Sequence, residues 1–231
     1  MTDFKYSLDR DRVVSIIWDA KDKSINTLTL ESSVDLNNCI DKALMEEDLK
    51  GIIICSAKKD FSAGMDLMVL QSMMKEQKGN FSELAFKTIM EIHGTLRKLE
   101  LAGRDKKEKR KSVPVVWACP GLSAGIGTEI GLACHHRIVS DDPRVKVGLP
   151  EILVGLFPFG GGTTRLMRSL GALGSSQILL EGKMLSASAA KSAGLVDEIV
   201  DCENLISAAK EWIFNASEEN TIKPWDNSNF K

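Results

Sequence analysis

No apolar run in this chain of 231 residues approaches the roughly 18–20 that a membrane-spanning helix needs. No CxxC pair occurs either. The five cysteines (Cys39, Cys55, Cys119, Cys134, Cys202) are widely spaced and odd in number. They read as reduced thiols in a reducing compartment, not as a disulfide framework. A surplus of one charge is also missing: 30 basic residues face 32 acidic ones, for a formal charge of -2. That balance argues against a strongly basic nucleic-acid binder. No internal repeat and no Pro/Ser linker divides the sequence, so one domain is expected over 1–231. Its core would span about 1–200 and a helical segment about 201–217. The start, MTDFKYSLDRDR, has neither the apolar stretch of a secretory signal nor the acid-poor character of a transit peptide. The expectation is a cytoplasmic protein.

Histidine is scarce, and this excludes more. Gly121-Leu122-Ser123-Ala124-Gly125 matches the G-x-S-x-G nucleophile elbow. A hydrolase of that kind needs a histidine well downstream of the serine. The three histidines are His93, His135 and His136, and nothing follows them. Cys134-His135-His136 is too crowded for tetrahedral metal ligation, because adjacent residues on a helix point about 100° apart. Gly125 to Gly131 loosely resembles a dinucleotide loop but falls mid-chain, without a ribose-binding acid at the right distance. The run GRDKKEKRKS (103–112) carries six basic residues but no interleaved aromatic, and is expected to be the solvated end of a long helix.

What the sequence does have is a 43% hydrophobic, 27% charged composition and strands alternating with helices. Val13–Trp18, Gly51–Ser56 and Val113–Ala118 are short apolar runs that predict buried strands. Leu36, Cys39, Ile40, Ala43 and Leu44 share one face of a helix. Helices are expected over 65–75, 81–99, 124–135, 162–171, 175–181, 186–193 and 203–215. Short strands are expected at 137–140, 145–148 and 195–200. The class is α/β with covered sheet faces.

Three segments carry candidate chemistry. Lys59 to Leu67 (KDFSAGMDL) is a small-residue turn between a strand and a helix, able to aim backbone N–H groups at a ligand. Glu129 sits in IGTEIGLAC, apolar on nearly every side. It is either a helix-capping carboxylate or an acid–base group with a raised pKa. Glu151 follows Pro150 and opens another apolar run. Two such acids, 22 residues apart and each opening a segment after a turn, point to a shared pocket. Turns at 62–65 and 125–127 can each supply one oxyanion N–H.

FSAGMDL, GLSAGIGTEIGLACHHRIVSDD and VGLPEILVGLFPFGGGTTRL, in this order and spacing, resemble the enoyl-CoA hydratase/isomerase (crotonase) family. The resemblance runs from about Val13 to Ser217. SINTL, EGKMLSASAAKSAGLVDEIV and KPWD look most like the N-terminal hydratase part of the multifunctional fatty-acid oxidation α-chain. The resemblance implies a crotonase-like spiral of β-β-α units with two roughly perpendicular sheets. It implies an acyl-CoA thioester substrate, no separate cofactor (coenzyme A belongs to the substrate), and a homotrimer or pair of trimers, with a dehydrogenase or thiolase as possible partner chain. It implies hydration of a trans-2-enoyl-CoA; double-bond isomerisation and an inactive acyl-CoA-binding subunit are the alternatives.

By position, Glu129 matches the glutamate that activates water and Glu151 the one that protonates the α-carbon. Met65 and Ile126 match the oxyanion N–H donors. Ser62 and Ala63 match the turn that receives the adenine end of coenzyme A. Gly64, Asp66, Leu67, Gly125, Gly127 and Phe159 complete the expected substrate surface. The methionines at 65, 68, 73 and 74 would either line an acyl groove or pack the core. Two positions depart from the family pattern. Ile126 stands at the middle of a glycine run, and Phe159 follows Pro158 where the family has glycine.

Overall fold

Val13–Trp18 (VVSIIW) forms a strand because its β-branched and aromatic side chains pack well on a pleated surface. It is the second of eight strands described in the computed structural model, which covers residues 2–69, 71, 81–105, 107, 110–227 and 230. In chain order these are β1 (Phe4–Leu8), β2 (Val13–Trp18), α1 (Leu30–Leu44), β3 (Gly51–Ser56), α2 (Phe81–Leu101), β4 (Val115–Cys119) and β5 (Ser123–Ala124). There follow α3 (Ile126–Ala133), β6 (His136–Ser140), β7 (Val147–Gly148), a 3₁₀ turn at Pro150–Val154 and α4 (Gly162–Leu180). α5 (Ala187–Ser192), β8 (Glu198–Val200) and α6 (Leu205–Asn215) come last, before short 3₁₀ turns.

The main sheet has the order β1-β2-β3-β4-β6-β8. β1 pairs antiparallel with β2, and every later neighbour pairs in parallel. Alternation along the strands divides the interior. Val14, Ile16, Trp18, Ile52, Ile54, Val115 and Trp117 face one core, under α1 to α4. Val13, Ile53, Val116, Ala118 and Ile138 face a smaller one, closed by Leu205, Ala209 and Ile213 of α6. Helices on both faces explain why the central strands read as unbroken apolar runs.

The second sheet pairs β5 with β7 in parallel. Single bridges extend it, from Ser62 to Ser123, Leu28 to Met65 and Val147 to Leu185. This small sheet brings the turns after 62, 124 and 148 side by side, and so builds the site. α3 lies close above the main sheet because Gly131 has no side chain: a Cβ there would meet the Trp117 ring at 2.7 Å.

Several expectations need correction. β1 was not anticipated; its alternation, FKYSL, is too short to register, and Phe4 is held by stacking on Trp18 at 5.0 Å. The helix expected from Met65 begins at Leu67, because Met65 is engaged in the bridge with Leu28. Met68 is exposed, and Met73 and Met74 lie outside the described residues. The long helix ends at Leu101. Asp105 and Arg110 then exchange two backbone hydrogen bonds, so the helix does not continue through the described residues of the basic run. The two helices expected over 162–171 and 175–181 are one element, kinked at Gly171 (φ 69°).

The C-terminal segment is anchored against α3. Lys223 is buried, and its Nζ donates to the carbonyls of Leu132 (2.9 Å) and Cys134 (2.5 Å) at the helix C-terminus. That is the negative end of the helix dipole. Burial pushes the Lys223 ammonium down to about 8.

Candidate active site

The turn Phe61–Met65 is held by Asn26, which is wholly buried. Its Nδ2 donates to the carbonyls of Trp18 (3.2 Å) and Phe61 (3.0 Å) and to Ser56 Oγ (3.0 Å). Its own carbonyl accepts from Ala63 N (2.9 Å) and Ser62 Oγ (3.1 Å). One side chain therefore sets the path of the turn that presents the Met65 N–H. Facing it, Gly125 adopts φ 55° and caps α3. A Cβ at Gly125 would lie 3.7 Å from Gly64 Cα and 2.9 Å from Glu151 Oε1. Glycine is required there by conformation and by space. Neither the Met65 nor the Ile126 N–H has a hydrogen-bond acceptor among the described residues. Ile126 is the first residue of α3, where N–H groups have no partner within the helix.

Glu129 lies in the first turn of α3 and is fully enclosed. Its Oε2 accepts from Gly160 N (3.1 Å) and its Oε1 from Gly162 N (2.6 Å). Burial pushes the carboxyl up to about 7, with the nearby Glu151 adding to the rise; the two N–H donors and Arg165 oppose it. The strap Pro158–Gly162 closes over this carboxylate only because it is glycine-rich. A Cβ on Gly160 would fall 2.5 Å from Ile126 Cδ1 and 2.7 Å from Glu129 Oε2. Gly160→Ala should therefore destabilise the fold by about 1–3 kcal/mol and cut activity at least about tenfold. Denaturant unfolding and turnover check this; wild-type values for both would mean that the strap does not clamp Glu129.

Glu151 stands in the first turn of the 3₁₀ segment and is partly exposed. Its Oε2 is buried with no hydrogen-bond partner among the described residues, and burial raises its pKa. It lines a pocket of about 260 Å³ together with Ala63, Gly64, Met65, Ile126 and Phe159. Leu67 and Gly125 lie on the same wall. Larger grooves of about 530 and 540 Å³ run along α2, away from both unengaged N–H groups. The small pocket is the candidate site, because among the described residues an unpartnered carboxylate oxygen and two residues whose N–H groups have no acceptor line it together.

The remaining expected residues are placed differently. The Ser62 side chain faces inward and is fully buried, accepting from Gly64 N (3.0 Å). Gly127 packs on Ser62 and Ser123, where a Cβ would come within 2.7 Å of Ser62 Cβ. Asp66 turns to Lys23, with 2.7 Å between Nζ and Oδ2, and caps Met68 N. These three residues support the turns and are not among those lining the pocket. Glu129 is likewise absent from the wall; its Oε2 and Ile126 Cδ1 both lie against Gly160. His135 is a core residue: its Nδ1 accepts from Val115 N (3.0 Å), so its Nε2 donates to the Glu100 carbonyl (3.0 Å). Among the described residues no group of three or more His, Cys, Asp or Glu side chains can hold a metal ion. Sequence reasoning missed Asn26, Arg165 and the strap glycines as site builders. Their only signal was membership of the motifs SINTL and FGGGTTRL.

A sequence model described as Enoyl-CoA hydratase/isomerase matches residues 12–222. The chain belongs to the enoyl-CoA hydratase/isomerase family. Solved crotonase-fold structures superpose on it closely. A protein from Geobacillus kaustophilus HTA426 described as an enoyl-CoA hydratase gives a TM-score of 0.79 at 24% identity, covering 93% of this chain and 74% of that one. The enoyl-CoA hydratase from Bacillus anthracis gives 0.76 at 26% identity, over 92% and 76%. One from Polaromonas sp. JS666 gives 0.79 at 22% identity, over 93% and 77%. The first and third of these likenesses speak for the fold alone. As an enoyl-CoA hydratase/isomerase family member, the chain has the crotonase-like fold that its motifs implied, and an acyl-CoA thioester is the substrate class that fits it.

Proposed function

We propose that this chain adds water to a trans-2-enoyl-CoA to give the 3-hydroxyacyl-CoA. The observation that carries the reading is the pairing of Glu129 and Glu151 across the wall of one pocket that also holds two unengaged N–H groups. The two environments suit different roles. Burial raises both carboxyls, Glu129 to about 7, where its two N–H donors work toward the ionised form that a base needs; Glu151, with Oε2 unpartnered on the pocket wall, is placed to act as the acid. In the reaction Glu129 takes a proton from water as the water oxygen bonds to C3. The C2–C3 π electrons move toward the thioester, whose oxygen gains enolate charge and is held by the N–H groups of Met65 and Ile126. Glu151 then gives its proton to C2. Transfer of the proton from Glu129 back to Glu151 restores the pair.

The test is loss of the conjugated thioester absorbance of a short enoyl-CoA on mixing with the purified chain. Rapid loss with 3-hydroxyacyl-CoA as product supports the reading; bound thioester without turnover rejects it in favour of a binding subunit. One observation favours a second reading: only Glu151 reaches the pocket, and a single carboxylate can move a proton between C2 and C4. Conversion of a 3-enoyl-CoA to the 2-enoyl isomer, with no hydration, would select that isomerase. With the hydratase reading go a place in fatty-acid β-oxidation, a trimer or pair of trimers, and a dehydrogenase or thiolase chain to take the product.

A further inference from the structure

The strap over Glu129 has two faces. Its inner face presents the N–H groups of Gly160 and Gly162 to the carboxylate. Its outer face presents carbonyls. The Phe159 carbonyl accepts from His93 Nε2, which must carry the proton because a carbonyl only accepts. The Gly160 carbonyl accepts from Arg165 Nη1 at 2.8 Å. Arg165 is itself fixed by Glu100, whose Oε1 accepts from Arg165 Nε at 2.8 Å. The Phe159 carbonyl and the Gly160 N–H belong to one peptide unit. That unit is trans, so its C=O and N–H point in opposite directions. His93 on α2 therefore stands behind the same rigid plane whose other edge donates to Glu129. Tilting the plane moves both bonds together.

We propose that His93 is a positioning residue for Glu129, acting through the Phe159–Gly160 peptide, with Arg165 holding the next peptide in register. His93 is half-buried on α2 and is not among the residues lining the pocket. It aligns the peptide, and its ring N–H polarises the carbonyl and strengthens the N–H opposite. The charged groups around Glu129 are Glu151 from the 3₁₀ segment and Arg165 from α4, with Glu100 of α2 behind Arg165.

The test compares His93→Phe, which keeps bulk and removes the donor, with His93→Gln, which restores an N–H. The primary readout is the infrared carboxylic-acid band of Glu129, identified by its loss in Glu129→Gln and followed against pH in the whole chain. Losing support from a donor disfavours the carboxylate, so the midpoint should rise by about 0.5–1 unit in His93→Phe and return in His93→Gln. The kinetic readout rests on the hydratase reading above. There kcat at pH 7 should fall about 3–10-fold in His93→Phe with KM within about twofold, and the acid limb should move up with the infrared midpoint. If the wild type shows no hydration, that reading fails while the infrared titration still decides this proposal. A midpoint unchanged in His93→Phe, even with a lowered melting temperature, overturns the proposal. So does an acid limb that vanishes equally in both variants, since the limb would then be the titration of His93 itself.

Discussion

Glu151→Gln should lower enoyl-CoA turnover about 10³-fold and leave thioester binding within about threefold. The substitution keeps the shape of the side chain and removes the one proton that the pocket can deliver to carbon. Glu151 is the carboxylate on the pocket wall, and its Oε2 has no partner among the described residues. A buried polar atom left unpaired costs about 1–3 kcal/mol in a stable fold. The proposed hydration would give that cost a purpose, because an oxygen already hydrogen-bonded to the protein would be a poor acid. Melting temperature should therefore stay at or above the wild-type value. The measurement is a progress curve of thioester absorbance beside a binding isotherm for a saturated acyl-CoA. Retained turnover would remove Glu151 from the chemistry.

Glu129→Gln should lower hydration about 10³-fold or more while C2 proton exchange in a saturated acyl-CoA, which on this reading uses Glu151, persists within about tenfold. The wild-type kcat/KM should fall as pH drops through about 7, because burial holds the Glu129 carboxyl near that value and the base must be ionised. In the variant this limb should be absent from the exchange reaction. Glutamine can satisfy only one of the two N–H donors from Gly160 and Gly162, since its second terminal atom is itself a donor. A stability loss of about 1–3 kcal/mol is expected for that mismatch. Deuterium exchange at C2, read by mass spectrometry, separates loss of the base from collapse of the pocket. Hydration that survives Glu129→Gln would mean that Glu129 is not the base, and would leave isomerisation by Glu151 as the stronger reading.

Much of this was legible in the residues themselves. The strands VVSIIW, GIIICS and VVWAC are apolar because helices cover both faces of the sheet, and that burial marks them locally. The α1 face was visible at helical spacing. Glu129 and Glu151 stood out because a lone acid in an apolar run is costly unless something nearby uses it. The resemblance of three motifs in order named the family, and the match over residues 12–222 bears that out.

What the chain order could not show is which of these residues meet. Phe4–Leu8 became a strand only because Trp18 and β2 were there to receive it. The glycines at 160 and 162 read as a flexible turn, yet their place is set by the carboxylate of a residue more than thirty positions earlier. Ser62, Asp66 and Gly127 sit in the right motifs, but Ser62 takes the Gly64 N–H, Asp66 pairs with Lys23 and Gly127 packs on Ser62. Sequence alone determined the fold class and the family and singled out two candidate carboxylates, because burial pattern and motif chemistry are local properties of the chain. Only the tertiary structure decided that Glu151 faces the pocket while Glu129 is sealed behind the strap. Those positions depend on contacts between α2, α3 and α4, and such long-range contacts leave no periodic trace in the residues that make them.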